Sequence, residues 1–273
     1  MRVSVIVPVY NKIEHFLPCL LTNLHHAHEP LEWIIIDNNS DQATKDGLVG
    51  FKLDAEKLGH SVKIVNEDHN TGVACAWNKG MGLANSEYVC VLNNDCILMP
   101  HWPETLIESE RNTQYKIYTP FIVETHMLGD HFTEAFFLSE GWEKLVKVNK
   151  NRKRNGIFGG VVFFGKKIYF EQVGAFDEKF WLSLEDMDYL VRCQRGGIQI
   201  GTVGCVVGFH HASTTRKGFN LDEEPNQTYF QQKYGWNFEL NEHRFVNRMV
   251  KSWNKFLLRK FLILGNSNLS LPK

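Results

Sequence analysis

The stretch Val91–Pro100, VLNNDCILMP, places three polar side chains between two apolar runs. Asn93, Asn94 and Asp95 follow YVCVL and precede ILMP. A tight turn or a helix cap explains such residues, because short polar side chains bond to their own backbone. A ligand site at the carboxyl end of a buried strand also explains them, because a hard carboxylate oxygen suits Mg²⁺ or Mn²⁺ bound to phosphate. The local sequence leaves both interpretations open.

A second group of acids lies within the apolar segment FWLSLEDMDYLV. On a helix, Glu185 and Asp188 share a face, whereas Asp186 points roughly 100° away. One acid can therefore face a site while another caps the helix N-terminus. Acids inside an apolar run are unexpected, because burial of an unpaired charge is unfavourable. A catalytic role would explain them, since a positioned carboxylate is a competent general base. A helix cap with a solvated face is the alternative.

Two histidines, His210 and His211, end the apolar run VVGF. A neutral imidazole can join a carboxylate oxygen on Mn²⁺, although most single histidines are packed in a core or lie on a surface. Arg216 and Lys217 follow within a few residues. These two cations would neutralise a diphosphate leaving group if they face the site.

The segments that must position these groups alternate regularly over the first hundred residues. Near-continuous apolar strands that alternate with helices predict a parallel sheet covered on both faces. The predicted strands are VSVIVPV from Val3, EWIIID from Glu32, SVKIVNE from Ser61 and EYVCVLNND from Glu87, and the predicted helices carry Ile13 to Leu21 and Val73 to Met81.

Polar clusters follow three of these strands. The first strand ends in Pro8, Val9, Tyr10 and Asn11, the second in DNNSD from Asp37 to Asp41, and the fourth in NND. Ligands of open parallel sheets bind just beyond the carboxyl ends of the strands. Three carboxylates on one rim, those of Asp37, Asp41 and Asp95, therefore predict a binding site there.

The second half of the sequence is less regular. Residues 156–167 predict a strand opened by glycine, and residues 198–209 predict one or two more strands. Residues 184–195 predict a helix that stops at Gly196 and Gly197. The basic segment 144–154 is typical of a loop, and a basic amphipathic segment begins at Asn241.

Composition bounds the class of protein. A chain of 273 residues with 43% hydrophobic residues favours one α/β domain with a smaller extension. The net charge of -1 gives no global basic field, so a nucleic-acid partner is not expected. Six scattered cysteines without a CxxC pair fit a reducing cytosol, and no apolar run reaches the length of a transmembrane helix.

Three common motifs are missing. The first strand is followed by PVYNKI rather than GxGxxG, which argues against a dinucleotide-binding protein. The chain has no GxxxxGK[ST] and no GxSxG, which argues against a P-loop nucleotidase and a serine hydrolase.

From Val3 to about Ser213 the chain resembles the family 2 glycosyltransferases. Five segments carry the resemblance in the family's order: VIVPVYN, IIIDNNSD, NTGVACAWNKG, NNDC and GAFDEKFWLSLEDMDYLVR. The resemblance implies an α/β fold of the GT-A (Rossmann-like) type, with a mostly parallel central sheet and helices on both faces. It implies a catalytic domain over residues 1–215, divided into a nucleotide-sugar half (1–100) and an acceptor-side half (101–215). A C-terminal helical extension over residues 216–273 completes this prediction.

The same resemblance implies inverting transfer of a sugar from a nucleoside diphosphate, UDP or dTDP favoured, to an acceptor hydroxyl. Asp37 would read the base, Asp95 would hold Mn²⁺ or Mg²⁺ with His210 or His211, and Asp186 would be the base, with Asp188 as its rival beside Glu185. The remaining residues implied to bind the nucleotide sugar are Pro8, Tyr10, Asn11, Asn39, Asn70, Gly72, Asn78 and Asn94.

One departure from the family pattern bears on the metal. The first acid of the D-x-D motif is Asn93 here, so one negative charge fewer is available to hold the ion.

The expected role is synthesis of a cell-surface polysaccharide or glycoconjugate in the cytoplasm, with a glycan, lipid-linked or protein acceptor. The basic amphipathic segment predicts peripheral contact with the inner membrane face, or a helix packed on the catalytic domain. A non-catalytic relative that binds nucleotide sugar or glycan, and a nucleotidyltransferase, are the alternative functions.

Overall fold

A computed structural model describes residues 1–124, 153–155, 160–181, 183–211 and 224–235. Within these ranges, nine strands form one sheet with helices on both faces. In chain order the elements are β1 (Val3–Val9), α1 (Ile13–His25), β2 (Glu32–Asp37), α2 (Gln42–Lys57), β3 (Ser61–Asn66), α3 (Val73–Leu83), β4 (Tyr88–Leu92), β5 (Cys96–Leu98), α4 (Trp102–Glu110), β6 (Ile117–Glu124), β7 (Lys153–Asn155), β8 (Val162–Lys166), α5 (Lys167–Val173), α6 (Glu185–Arg195), β9 (Ile200–His210) and α7 (Glu224–Tyr234).

The first four strands form the predicted parallel block, in the order β3-β2-β1-β4. Helices α1 and α3 lie where the sequence predicts them. Helix α2 was not predicted, because only Thr44, Leu48, Phe51 and Ala55 of its 16 residues are buried. Its first turn is capped by Asp41, whose Oδ1 accepts a hydrogen bond from the Thr44 amide at 2.8 Å. Asp41 is therefore a helix cap rather than a free carboxylate of the rim.

The second half extends the same sheet. Strand β8 is antiparallel to β4 and β6, β6 is parallel to β9, and β5 and β7 are antiparallel to β9. The predicted strand over 156–167 is β8, whose preceding residues 156–159 lie outside the described residues. Residues 198–209 form one strand rather than two, and the predicted helix over 184–195 is confirmed as α6.

Strand β1 shows why helices cover both faces. Val5 and Val7 contribute to a core shared with α1, α2 and α4, whereas Ile6 contributes to a core shared with α3, α5 and α6. Successive side chains of a strand point to opposite faces, so a strand covered on both sides consists almost entirely of apolar residues. The continuous run VSVIVPV is the result.

The short strand β5 is fixed by a buried side chain of α1. The Asn23 amide donates to the Cys96 carbonyl and accepts from the Leu98 amide, both at 2.7 Å. Loss of these bonds would leave buried polar groups unpaired, at about 1–3 kcal/mol each. Because β5 starts one residue after Asp95, Asn23 also fixes the turn that carries this acid.

Of the predicted extension over 216–273, the structure describes helix α7. Phe230 of α7 is buried and lies against Phe180. No helix within the described ranges is long and apolar enough to cross a membrane. The six cysteines are free thiols. The loop predicted over 144–154 is wrong at residues 153 and 154, which belong to β7 and pair with β9. Residues 144–152, the pair Arg216 and Lys217, and the predicted amphipathic segment after Asn241 lie outside the described residues.

Candidate active site

Asp37, the last residue of β2, is fully buried at the carboxyl edge of the sheet. Its Oδ1 accepts a hydrogen bond from the Ser40 amide at 2.9 Å. Its Oδ2 is buried and has no hydrogen-bond partner among the described residues. Buried polar atoms almost always have a partner, so this oxygen is suited to accept an N–H or O–H group from a ligand.

The end of β1 is tied to the turn after β2 by Asn11. The backbone N–H of Asn11 donates to Ser40 Oγ at 2.9 Å, and the side-chain Oδ1 of Asn11 accepts from the backbone N–H of Asp41 at 2.7 Å. Asn11 and Asn39 both adopt left-handed backbone, with φ of 52° and 64°, which asparagine tolerates better than most residues. Both asparagines therefore shape the loops around Asp37.

Two other residues predicted to bind the donor lie close to this edge. Pro8 is buried within β1 and pairs with Ile36, while Tyr10 is half-buried just beyond the strand. Tyr10 is therefore the more accessible of the two side chains.

The start of α3 is built around Gly72. Its backbone amide donates to Asn70 Oδ1 at 3.0 Å, and the next amide, of Val73, donates to the Trp181 carbonyl at 3.0 Å. Gly72 has φ of +84°, and a Cβ at this position would lie 2.4 Å from Cδ1 of Trp181. Only glycine combines this backbone conformation with such close contact. The segment that contains Trp181 is thereby docked on the start of α3.

Asn78 makes a second connection between the two halves. Its Nδ2 donates to the Phe176 carbonyl at 2.9 Å and to Glu178 at 2.8 Å, and its Oδ1 accepts from the Phe176 amide at 2.7 Å. These three bonds use both side-chain N–H groups and one lone pair of Oδ1. They give Asn78 the role of holding residues 176–178 against α3, and its contact with a nucleotide sugar stays a prediction.

Asp95 and His210 meet at the same edge because β5 pairs with the end of β9. The register sets Cys96 opposite His210, and His210 Nε2 lies 3.1 Å from Asp95 Oδ1. Both side chains are largely buried, with exposed fractions of 13% for His210 and 9% for Asp95. His211 instead donates its backbone amide to the Asp95 carbonyl at 2.9 Å. Asn94 is half-buried in the same turn.

This pair fits an octahedral divalent cation. Two ligands that each lie 2.0–2.1 Å from Mg²⁺ at a right angle are about 3 Å apart, which matches the Asp95–His210 separation. No group of three or more His, Cys, Asp and Glu side chains arranged for a metal occurs in the described part of the chain. An ion here would take one carboxylate and one imidazole from the described residues, with phosphate oxygens and water completing its shell.

Asp186 is half-buried in the first turn of α6, where its Oδ1 accepts from the Met187 amide at 2.7 Å. The helix N-terminus stabilises negative charge at this position. Gly160 lies directly against it, since a Cβ on Gly160 would lie 2.5 Å from the Asp186 Cβ. Leu184, just before the helix, adopts left-handed backbone with φ of 67°, which costs about 1–3 kcal/mol. The acid is therefore presented on a constrained turn.

Asp188 has a different environment. It is fully buried, and its carboxylate accepts hydrogen bonds from Arg192 Nε at 2.8 Å and from Lys233 Nζ and Tyr234 Oη at 2.6 Å. Burial and the bond to Asp188 raise the pKa of Tyr234 to about 12, so its hydroxyl stays protonated as a donor. These three donors occupy the carboxylate. They correct the prediction that Asp188 rivals Asp186 as the base, and Glu185, on the same buried face, is 9% exposed.

Contacts at the carboxyl edge link several of the predicted residues in two groups. In the first, Asn38, next to Asp37, accepts a hydrogen bond from the Thr71 hydroxyl at 2.9 Å, and the following residue, Gly72, lies against Trp181. In the second, Asp186 lies against Gly160, and the backbone amide of Asn93, two residues before Asp95, donates to the Val161 carbonyl at 2.9 Å. The Asp95–His210 pair belongs to this second group.

Four positioning residues were missed from the sequence: Asn23, Gly160, Trp181 and Lys233. Asn23 carries a local signal, since it is a polar residue on the apolar face of α1. The other three act on residues distant in the sequence, so their roles depend on tertiary contacts.

Comparison with known proteins places these observations in a family. The model of the family described as Glycosyl transferase family 2 matches residues 4–171 of this chain. Glycosyltransferase AglE of Haloferax volcanii is 25% identical over 212 residues, which cover 77% of this chain and 67% of AglE. The structure of S. aureus TarS 1–349 superposes with a TM-score of 0.59 at 14% identity, covering 92% of this chain and 80% of TarS. A structure of GalNAc-T7 with UDP, GalNAc and Mn²⁺ superposes with a TM-score of 0.57 at 15% identity, and the match covers 77% of this chain and 43% of GalNAc-T7.

The structural matches show the GT-A type of fold alone, because their sequence identities are low. The chain spans only part of several relatives, with matched regions covering 34%, 35% and 56% of three further glycosyltransferases.

Proposed function

The chain belongs to glycosyl transferase family 2, and from this premise we propose that it transfers a sugar, with inversion, from a nucleoside-diphosphate sugar to an acceptor hydroxyl. The observation that carries the proposal is the link between the half-buried acid Asp186 and the Asp95–His210 pair through Gly160, Val161 and Asn93. The buried Asp37 Oδ2, which has no hydrogen-bond partner among the described residues, lies at the same edge of the sheet.

Asp37 supports the choice of nucleoside. Its buried Oδ2 needs a hydrogen-bond donor. The ring N3–H of uracil or thymine supplies one. The ring N–H of guanine and the exocyclic amino groups of cytosine and adenine are donors as well, so this oxygen alone does not select the base. We propose UDP or dTDP, because Asp37 occupies the base-contacting position of the family motif.

Asp186 is the proposed base. The acceptor oxygen attacks the anomeric carbon opposite the diphosphate, the new C–O bond forms as the bond to the diphosphate breaks, and Asp186 takes the hydroxyl proton. Such a positioned carboxylate contributes about 10²–10⁴-fold. Its half-buried position lets a hydroxyl reach it, whereas Asp188 is covered by three donors.

Asp95 and His210 are the proposed ligands of Mn²⁺ or Mg²⁺, and such an ion neutralises negative charge on a departing diphosphate. The imidazole compensates in part for Asn93, which stands where the family motif has its first acid. The backbone amide of His211, which donates to the Asp95 carbonyl, holds the same turn in place, and Asn94 is half-buried within it.

The proposed role is synthesis of a polysaccharide or glycoconjugate, with a glycan, lipid-linked or protein acceptor. The peripheral membrane contact expected of the segment after Asn241 stays a prediction from the sequence.

A ligand panel tests the proposal. The full chain is incubated with Mn²⁺ and, in turn, UDP, dTDP, GDP, CDP and ADP, and the unfolding temperature is measured. We expect UDP or dTDP to raise it most, since a ligand that binds only the folded state stabilises it by mass action. The corresponding nucleotide sugars should then release nucleoside diphosphate. Release of pyrophosphate from a nucleoside triphosphate and a sugar 1-phosphate would indicate a nucleotidyltransferase, and binding without turnover on any acceptor class would indicate a non-catalytic relative.

A further inference from the structure

We propose that Lys233 of α7 is a positioning residue for the base-bearing turn of α6. This inference rests on the proposed function. It concerns a helix that lies beyond residues 4–171, the part of the chain matched by the family description.

The Lys233 ammonium bridges two segments that flank the site. Its Nζ lies 2.6 Å from Asp177, in the loop before α6, and 2.6 Å from Asp188, in the first turn of α6. Asp188 is fully buried and Asp177 is 19% exposed. A buried carboxylate needs a paired charge, so the position of Lys233 constrains both ends of the segment that carries Asp186.

Aromatic rings enclose the same ammonium. The centroids of Phe180, Tyr229 and Tyr234 lie 5.7, 5.8 and 5.6 Å from Nζ, a separation at which the faces of aromatic rings attract a cation. Two of the rings belong to α7 and one precedes α6. The rings and the two carboxylates surround the ammonium. They therefore fix the direction from which the Lys233 side chain enters this site, and they stabilise its positive charge.

Three neighbouring hydrogen bonds strengthen this attachment. Tyr229 Oη donates to Asp177 at 2.9 Å, and Tyr234 Oη donates to Asp188 at 2.6 Å. Asn226 Nδ2 donates to Ser183 Oγ at 2.8 Å, two residues before α6 begins. Helix α7 thus contacts the segment before Asp186, and also the residue two positions after it. Displacement of α7 would therefore move the acid.

The effect on catalysis follows from geometry. A misplacement of about 1 Å at a reacting group can cost about 10²-fold in rate. Donor binding depends on Asp37, Asp95 and His210, which lie on other elements. Loss of the ammonium should therefore reduce turnover while leaving affinity for the nucleotide close to that of the parent protein.

The test compares Lys233→Met, which keeps the length but not the charge, with Lys233→Arg, which restores a cation. The control is Lys179→Met, because Lys179 Nζ lies 5.1 Å from the same Tyr229 ring but belongs to the loop itself. Each full-length variant is assayed for release of UDP from UDP-glucose, UDP-galactose and UDP-N-acetylglucosamine (dTDP from dTDP-glucose in parallel), well below its unfolding temperature. Binding of UDP with Mn²⁺ is measured by calorimetry.

For Lys233→Met we expect kcat to fall about 10- to 100-fold, with KM for the donor and Kd for UDP within about twofold of the parent. Lys233→Arg should recover most of the loss, and Lys179→Met should match the parent. Parent-like kcat in Lys233→Met overturns the inference. Equal losses in UDP binding and kcat also overturn it, because they show general damage to the fold.

A parent protein that binds UDP but releases none from any donor would instead contradict the proposed function. Should Lys233→Met fail to fold, Asp177→Asn removes one of the two ion pairs and is judged by the same criteria.

Discussion

His210 Nε2 lies 3.1 Å from Asp95 Oδ1 at the carboxyl edge of the sheet, although the two residues are 115 positions apart in the sequence. The separation arises because β5 and β9 pair with Cys96 opposite His210. This is the distance of a hydrogen bond between an imidazole and a carboxylate, and it also fits two neighbouring ligands of one octahedral ion.

The first prediction concerns this pair. His210→Ala and Asp95→Asn should each weaken Mn²⁺ binding in the presence of UDP by at least about 10-fold, measured by calorimetric titration of the metal. His15→Ala, on the exposed face of α1, is the matched histidine control. If His211→Ala abolishes metal binding while His210→Ala does not, the assignment of the ligand is wrong.

The second prediction concerns the base of the nucleotide. Asp37→Asn replaces the buried acceptor by an amide, so UDP should bind about 10- to 100-fold more weakly, as expected for loss of a hydrogen bond to a charged group, worth about 1.5–3 kcal/mol. Calorimetry with UDP and Mn²⁺ measures this effect. Asp41→Asn should bind UDP normally, because asparagine caps a helix as well as aspartate does. Unchanged affinity in Asp37→Asn would contradict the proposed base contact.

The third prediction separates the two acids of α6. Asp186→Asn should keep its unfolding temperature and UDP affinity but lose about 10²–10⁴-fold in turnover. Asp188→Asn should reduce the free energy of unfolding by about 3–5 kcal/mol, because Arg192 and Lys233 lose their buried counter-charge. Denaturant titration and a product-release assay measure the two effects. Full turnover in Asp186→Asn would remove it as the base.

The fourth prediction uses two glycines with opposite environments. Gly72→Ala should lower the free energy of unfolding by more than about 1 kcal/mol, since φ is +84° and Trp181 fills the space. Gly50→Ala, inside α2 with nothing within 4 Å of the added carbon, should raise it by about 0.5–1 kcal/mol. Denaturant titration of both variants gives the comparison. Equal effects would show that the contact between Gly72 and Trp181 is absent in solution.

The fifth prediction concerns pH. His60 is buried, and its Nδ1 accepts a hydrogen bond from the Leu31 amide at 3.0 Å. Burial lowers the pKa of His60 below 6.5, and the nearby His25 lowers this pKa further. His60 therefore binds a proton more readily in the unfolded chain than in the folded protein. The contribution of neutral His60 to the free energy of unfolding is fully present above about pH 6.5 and is lost as the pH falls below this value.

His60→Asn keeps an acceptor for the Leu31 amide but cannot be protonated in this range. The free energy of unfolding should therefore depend less steeply on pH between 6.5 and the lowered pKa than in the parent. The dependence is not expected to vanish, because burial also lowers the pKa of His26. Identical slopes in the two proteins would contradict the role of His60.

Much of the first half of the fold could be predicted because its constraints are local. A strand covered on both faces is a continuous apolar run, so β1, β2 and β4 are visible in the sequence. The polar residues that end these strands mark the edge where ligands bind. Asp37, Asp41 and Asp95 could all be selected on this ground, although the structure shows that Asp41 caps α2. Helix α2 escaped prediction because few of its residues are buried.

Residues with distant partners could not be predicted in the same way. Asn78 lies in a motif that implies donor binding, yet its amide bonds to residues 98 and 100 positions further along the chain. The roles of Gly160 and Trp181 depend on close packing against Asp186 and Gly72. Such contacts leave no periodic pattern in the sequence.

The sequence by itself determined the class of sheet, the edge that carries the site and the family of the protein, because buried strands and the polar residues that end them are encoded by neighbouring residues. Only the tertiary structure decided that Asp188 is buried among three hydrogen-bond donors. Asp188 is paired with Lys233, which follows it by 45 positions, and the partner of a charge depends on how the chain folds back on itself rather than on the residues beside it. The same reason applies to His210, which reaches Asp95 only through the pairing of β5 with β9.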